Sequence, residues 1–250
     1  MLRWWRRRPA RPIPDPLWQE VLAAYPFLAE RPQDELARLR ELAARFLRDK
    51  EFHGAQGLAI TDAMALAIAA QAVLPVLHLG LGWYDDFVGI VVHPDQVVAR
   101  RTAQDDAGVV HEWDEVLAGE AMERGPVMLS WTDVQQAGAS AAQGYNVVIH
   151  EFIHKIDMRD GAPDGCPPLP SARRKAWRGA MQAEYERFRE QVVIAERFGG
   201  ESTWLDPYGA ENIGEFFAVA GEAYFVNRPG FAAEFPKLLG LFDGFFRPGA

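Results

Sequence analysis

The chain has 250 residues, 49% apolar and 24% charged, an ordinary globular balance with enough length for one large core. Its single cysteine, Cys166, excludes an internal disulfide and a cysteine-based zinc cage, so a cytoplasmic setting is expected and any metal must be held by histidines and carboxylates. The net charge of −9 becomes −14 once the five arginines of residues 1–11 are set aside, and a body that acidic is repelled by nucleic-acid phosphates.

Residues 1–16 read as a basic, proline-rich arm carrying Arg3, Arg6, Arg7, Arg8 and Arg11. Pro9, Pro12, Pro14 and Pro16 stand where an export signal needs an apolar run, so the arm is not read as one. Residues 17–250 are read as a single domain. Leu17, Trp18, Val21, Leu22 and Tyr25 recur at helical spacing, as do Leu36, Leu39, Leu42, Phe46 and Leu47. Residues 63–81 hold no charge, but Gln71, His78 and Pro75 argue against a membrane span; a buried helix capped at Thr61-Asp62 and ending near Pro75 is expected instead. Short strands are expected at 87–93, 97–99, 109–113 and 127–131, the last either a sheet edge able to align a peptide or a plain core strand.

A loop is expected over 135–144 and a helix over 145–158, with Gly161 in the left-handed position past its end. An exposed turn over 161–170 is followed by a long helix, 174–198, whose buried face carries Trp177, Met181, Tyr185, Phe188 and Val192. A loop over 199–209, a helix over 213–226 and an aromatic tail complete the chain. Helices, a strand cluster, then helices again predict an α+β fold, mostly helical, with its small strand cluster ahead of the helix at 145–158.

That helix carries the chemistry. It contains His150-Glu151-Phe152-Ile153-His154, a pattern expected by chance roughly 0.01 times at this composition. Residues four apart share a helix face, so His150 and His154 can grip one zinc. Glu151 points about 100° round, where it can activate a water at the metal without ligating it. A catalytic zinc takes three protein ligands. Asp160 lies ten residues after His150, but the sharp reversal needed to use it lacks its glycine, because Asp157 occupies that place. Asp157 shares the histidine face yet lies too far along the helix, and suits the orientation of a ligand histidine. Glu215, on the helix over 213–226, is the remaining candidate; the competing reading makes it the partner of an Asn212 cap. Glu222 lies on the same face as Glu215 and suits either a supporting role or a solvated charge.

Several segments together resemble the Mlc titration factor A family of zinc peptidases: Phe52-His53-Gly54, Gly57 to Asp62, Ala69 to Ala72, Gly125 to Trp131, His150 to Met158, Tyr208, and Glu215 to Phe225. That family is in turn similar to the catalytic domain of lethal-factor-type toxin proteases. The resemblance implies a zincin-like metallopeptidase of gluzincin type, with His150, His154 and Glu215 as metal ligands. It also implies that Tyr208, seven residues before Glu215, stabilises the oxyanion. The implied activity is zinc-dependent aminopeptidase action on short peptides. The implied partner is a transcriptional repressor of the Mlc type, and the alternative is a regulatory protein that sequesters such a repressor. Thermolysin-like enzymes place an acid four residues after the ligand glutamate, where this chain has Val219.

Overall fold

The computed structural model describes residues 9–104 and 110–249; for 99–104 and 110–116 only the backbone path is considered. Arg3, Arg6, Arg7 and Arg8 of the arm, and Val109, lie outside the described residues. The architecture is α+β and mostly helical. The helices α1 (Asp15–Ala24), α2 (Pro26–Ala29) and α3 (Gln33–Asp49) lead into strand β1 (Glu51–Gly54) and helix α4 (Asp62–Ala72). Strands β2 (Gly89–His93), β3 (Val97–Gln104), β4 (Val110–Leu117), β5 (Gly119–Ala121) and β6 (Val127–Ser130) follow. The remainder is helical: α5 (Trp131–Ser140), α6 (Val147–Asp157), α7 (Ser171–Phe198), α8 (Ile213–Val226), α9 (Arg228–Glu234) and α10 (Pro236–Phe246).

Four strands form one sheet in the order β1-β2-β6-β5. β1, β2 and β6 run parallel, with Glu51 opposite Gly89 and Ile90 opposite Val127, whereas β5 runs antiparallel with Gly119 opposite Leu129. β3 and β4 pair only with each other, as an antiparallel ribbon from Val97↔Leu117 to Gln104↔Val110. β6 is therefore an inner strand, not an edge, and the edge position falls to β5.

The core lies around α6, every residue of which is buried. On one side Phe46, Tyr84 and Phe87 close around Phe152 with ring centroids 5.0–5.9 Å from it. On the other, α8 packs so closely that a Cβ on Gly221 would lie 2.9 Å from Ile153 Cγ1. Trp177 of α7 and Phe242 of α10 stack at 5.7 Å behind α8. For Gly221→Ala, the gain of about 0.5–1 kcal/mol from helix propensity is smaller than an overpacking cost of about 1–3 kcal/mol. A net loss of the order of 1 kcal/mol is expected, read as a lower midpoint in thermal denaturation.

Several expectations need correction. The expected loop over 135–144 is largely helix α5: Ser130 caps it by accepting the Asp133 N–H, and its small residues serve packing, since a Cβ on Gly138 would collide with the Ala24 carbonyl. The helix expected to run from 63 to near Pro75 ends at Ala72, with Thr61 capping it as anticipated. β1 and β5 were not expected at all. Gly161 has a positive φ of 142°, but its ψ of −141° is extended rather than left-handed helical. The expected exposed turn over 161–170 is partly interior, with Gly165, Cys166 and Pro167 buried and the Trp177 indole donating to the Gly165 carbonyl at 2.7 Å. Among the described residues no helix is long and apolar enough to cross a membrane.

Candidate metal centre

Two asparagine caps set the geometry. Asn146 opens α6 by accepting the Ile149 N–H at 2.9 Å, and Asn212 opens α8 by accepting the Glu215 N–H at 3.0 Å. His150 and Glu215 thus sit within or just past the first turn of their helices, and the positive end of α8 favours a carboxylate there. The cap and ligand readings of Glu215 are compatible, because its backbone serves the cap while its side chain turns to the imidazoles.

His150 Nε2, His154 Nε2 and Glu215 Oε2 lie pairwise 3.1 Å apart. An ion held tetrahedrally by bonds of about 2.0–2.1 Å requires ligand atoms separated by roughly 3.3–3.4 Å, so the triangle fits with a few tenths of an ångström of relaxation. The donor set, two imidazole nitrogens and one carboxylate oxygen, is a metal-binding one. Burial alone would raise the Glu215 carboxyl, but its bonds with the two histidines outweigh that and hold it well below the usual carboxylate range.

Glu222, buried in α8 one turn beyond Val219, supplies the support that the sequence left open. Its Oε1 lies 2.7 Å from His150 Nδ1, and its Oε2 accepts the Asn146 N–H. With the proton on Nδ1, the Nε2 lone pair faces the triangle. The Asn146 amide in turn donates to Gln71 Oε1 at 2.8 Å, and Gln71 donates to the Ala67 carbonyl of α4 at 3.0 Å. Burial pushes Glu222 up from its ordinary value, and the neighbouring His150 opposes this. Asp157 does not orient a histidine as expected: its Oδ2 accepts the Gly165 N–H at 2.8 Å, tying down the loop after α6. Asp160 is half exposed, lies 3.9 Å from Arg174, and is not among the converging ligand atoms.

Glu151 is buried beside His150, and burial pushes its carboxyl up to about 7 against the lowering influence of His150 and His154. Its position is set from outside by β5, because a Cβ on Gly119 would lie 2.5 Å from Glu151 Oε1. Only a glycine lets the strand pass so close to this carboxylate. Tyr208 sits on the turn Pro207–Ala210, with its ring centroid 6.1 Å from that of His150. Asp206 Oδ1 accepts the Tyr208 N–H at 2.9 Å, and Gly209 packs against Phe188 and Val219, which fixes the turn on α7 and α8. These side chains border a cavity of ≈ 260 Å³, also lined by Gln96, Tyr145 and Asp206.

The structure therefore brings together His150, His154, Glu215, Glu151 and Tyr208. Gly119, Asp206 and Gln71 were missed. Asp206-Pro207-Tyr208-Gly209 carries a turn signature that could have drawn attention to Asp206. Gly119 and Gln71 carry no local signal, since their roles arise only from contacts across the fold.

Comparison with known proteins agrees over the whole chain. The family described as glucose-regulated metallo-peptidase M90 matches residues 2–247. A protein named Mlc titration factor A from Edwardsiella ictaluri is 38% identical over 250 residues, covering 99% of this chain and 93% of that protein. Proteins of the same name from Salmonella arizonae and Serratia proteamaculans are 33% and 34% identical, each covering 99% of this chain and 97% and 93% of their own lengths.

Proposed function

This chain belongs to the glucose-regulated metallo-peptidase family M90, and on that premise we propose that it is a zinc-dependent aminopeptidase acting on short peptides. The observation that carries the proposal is the convergence of His150, His154 and Glu215 at 3.1 Å beside a buried Glu151 and an open cavity. In this reading zinc is held by those three side chains and, when bound, acts as a Lewis acid on the scissile carbonyl and on water.

The remaining steps fall to the protein. Glu151, poised near neutrality, takes the proton of the attacking water and passes it to the leaving amine. The Tyr208 hydroxyl donates to the oxyanion as it forms. The substrate backbone lies along β5. Ser130 N–H bonds Ala118 O at 2.7 Å and Met122 N–H bonds Pro126 O, so Ala118 and Met122 face β6. By antiparallel alternation Gly119 and Ala121 turn their backbone groups outward, to the free edge. Two outward residues align only a short stretch of peptide. Asp206, an acid on the cavity wall two residues before Tyr208, is placed to receive a substrate's α-ammonium.

Zinc-loaded protein is expected to release amino-terminal residues from unblocked peptides and to process acetylated ones far more slowly. Asp206→Asn keeps the cap acceptor for Tyr208 but removes the charge; kcat/KM for unblocked peptides should fall roughly tenfold, with acetylated peptides unaffected. Equal cleavage of both peptide kinds would overturn the aminopeptidase assignment. The relatives' name favours a second reading, in which the chain binds a transcriptional repressor of the Mlc type. Zinc-loaded protein that cleaves no peptide yet forms a stable complex with such a repressor would establish that reading instead.

A further inference from the structure

A second polar cluster lies at the opposite end of α8 from Glu215. The ten residues from Glu215 to Phe225 correspond to about 15 Å of helix, so the cluster is separate from the metal centre. There Arg31 Nη1 meets Glu35 Oε2 at 3.3 Å, Arg31 Nη2 donates to the Phe225 carbonyl at 3.1 Å, and Arg247 Nη2 donates to Glu35 Oε1 at 2.8 Å. Arg228 Nη2 contacts both Asp243 oxygens at 2.6 Å, and the Tyr224 hydroxyl donates to Asp243 at 2.7 Å. His78 Nε2 lies 3.3 Å from Glu35 Oε1 but makes no hydrogen bond with it.

Two features of this cluster are unexplained by its internal pairing. Three buried nitrogens, Arg31 Nε, Arg247 Nε and His78 Nε2, have no hydrogen-bond partner among the described residues. Arg31, His78 and Arg247 all line one small cavity of ≈ 20 Å³, together with Arg228 and Tyr224. Charge is also out of balance among the described residues, where three guanidiniums pair with two carboxylates, Glu35 and Asp243. Burial disfavours the charged form of Arg31, and Arg247 beside it adds to the effect. A buried donor without an acceptor is costly, and positive charge in surplus beside it favours an anion over a neutral partner.

We propose that this cavity binds one small monovalent inorganic anion, of the size of chloride, between Arg31, Arg247 and His78. Size favours a small ion: the cavity of ≈ 20 Å³ has room for about one sphere of the size of water or chloride. Charge decides between an ion and a water, since a water accepts hydrogen bonds but leaves the surplus positive charge uncompensated. The bound anion joins the α2–α3 junction, the segment after α4 and the C-terminal helix, three parts of the chain remote in sequence.

The test uses the intact protein at constant ionic strength, with sodium chloride exchanged for sodium gluconate, whose anion is too large to enter. Chloride is expected to raise the thermal midpoint saturably by several degrees, and Arg247→Gln to lose that chloride-dependent increment whatever its own midpoint. Crystals grown in bromide should show an anomalous peak between Arg31 and Arg247, a reading that does not depend on any variant folding. Equal midpoints in the two salts, or a bromide-soaked crystal without that peak, would overturn the proposal. A stabilisation by phosphate that chloride does not reproduce would also overturn it.

Discussion

Glu151→Gln is expected to retain the metal while lowering peptide hydrolysis by about 10²–10⁴-fold, the usual contribution of a positioned general base. The prediction follows from which groups the carboxylate touches. Glu151 is not part of the His150, His154 and Glu215 triangle, so the amide leaves the ligand set unchanged. It is buried against Gly119, where an isosteric amide fits the same space. What is lost is the capacity to accept a proton near pH 7, which burial confers on this carboxyl. Metal content by mass spectrometry and turnover of an unblocked peptide check the two halves separately. Hydrolysis at the parental rate would remove Glu151 from its assigned role, and loss of the metal would show that it holds the ion in place.

Glu222→Gln is expected to weaken metal binding by about 10–100-fold, the range typical of lost support behind a ligand histidine. A carboxylate has two acceptor oxygens, and here both are used, one by His150 Nδ1 and the other by the Asn146 N–H. An amide has one oxygen, so either the histidine or the start of α6 is left facing an N–H₂ donor. Asp157→Asn is the informative comparison. Its carboxylate binds the Gly165 N–H rather than a histidine, and metal affinity should be unchanged. Competition with a chelating dye measures both variants, and equal affinities for Glu222→Gln and the parent would refute the assignment.

The site was more legible in the sequence than the framework that holds it. His150, Glu151 and His154 announce themselves because helix periodicity alone puts two imidazoles on one face, a relation confined to five residues. Glu215 was readable as a carboxylate needed by that motif, and its pairing with the imidazoles agrees with the resemblance that pointed to it. Asp157 went astray because proximity along a helix does not fix a side chain's partner; the loop carrying Gly165 folds back and takes it. Helix α5 was hidden by its own composition, since Gly138 and its small neighbours reflect close packing against α1 and imitate a loop. β5 has only three residues, too few for an alternating pattern, and its pairing to β6 is a long-range event. The roles of Gly119 and Gln71 depend on backbone and side-chain approaches that no local window contains.

The chain of bonds from Gln71 through Asn146 and Glu222 to His150 joins helices that are distant in sequence. A nascent polypeptide has no such alignment: His150 stays free to rotate until α4, α6 and α8 have docked. A cation at this site would therefore be held tightly only once those three helices are in place, so that metal affinity reports on complete assembly.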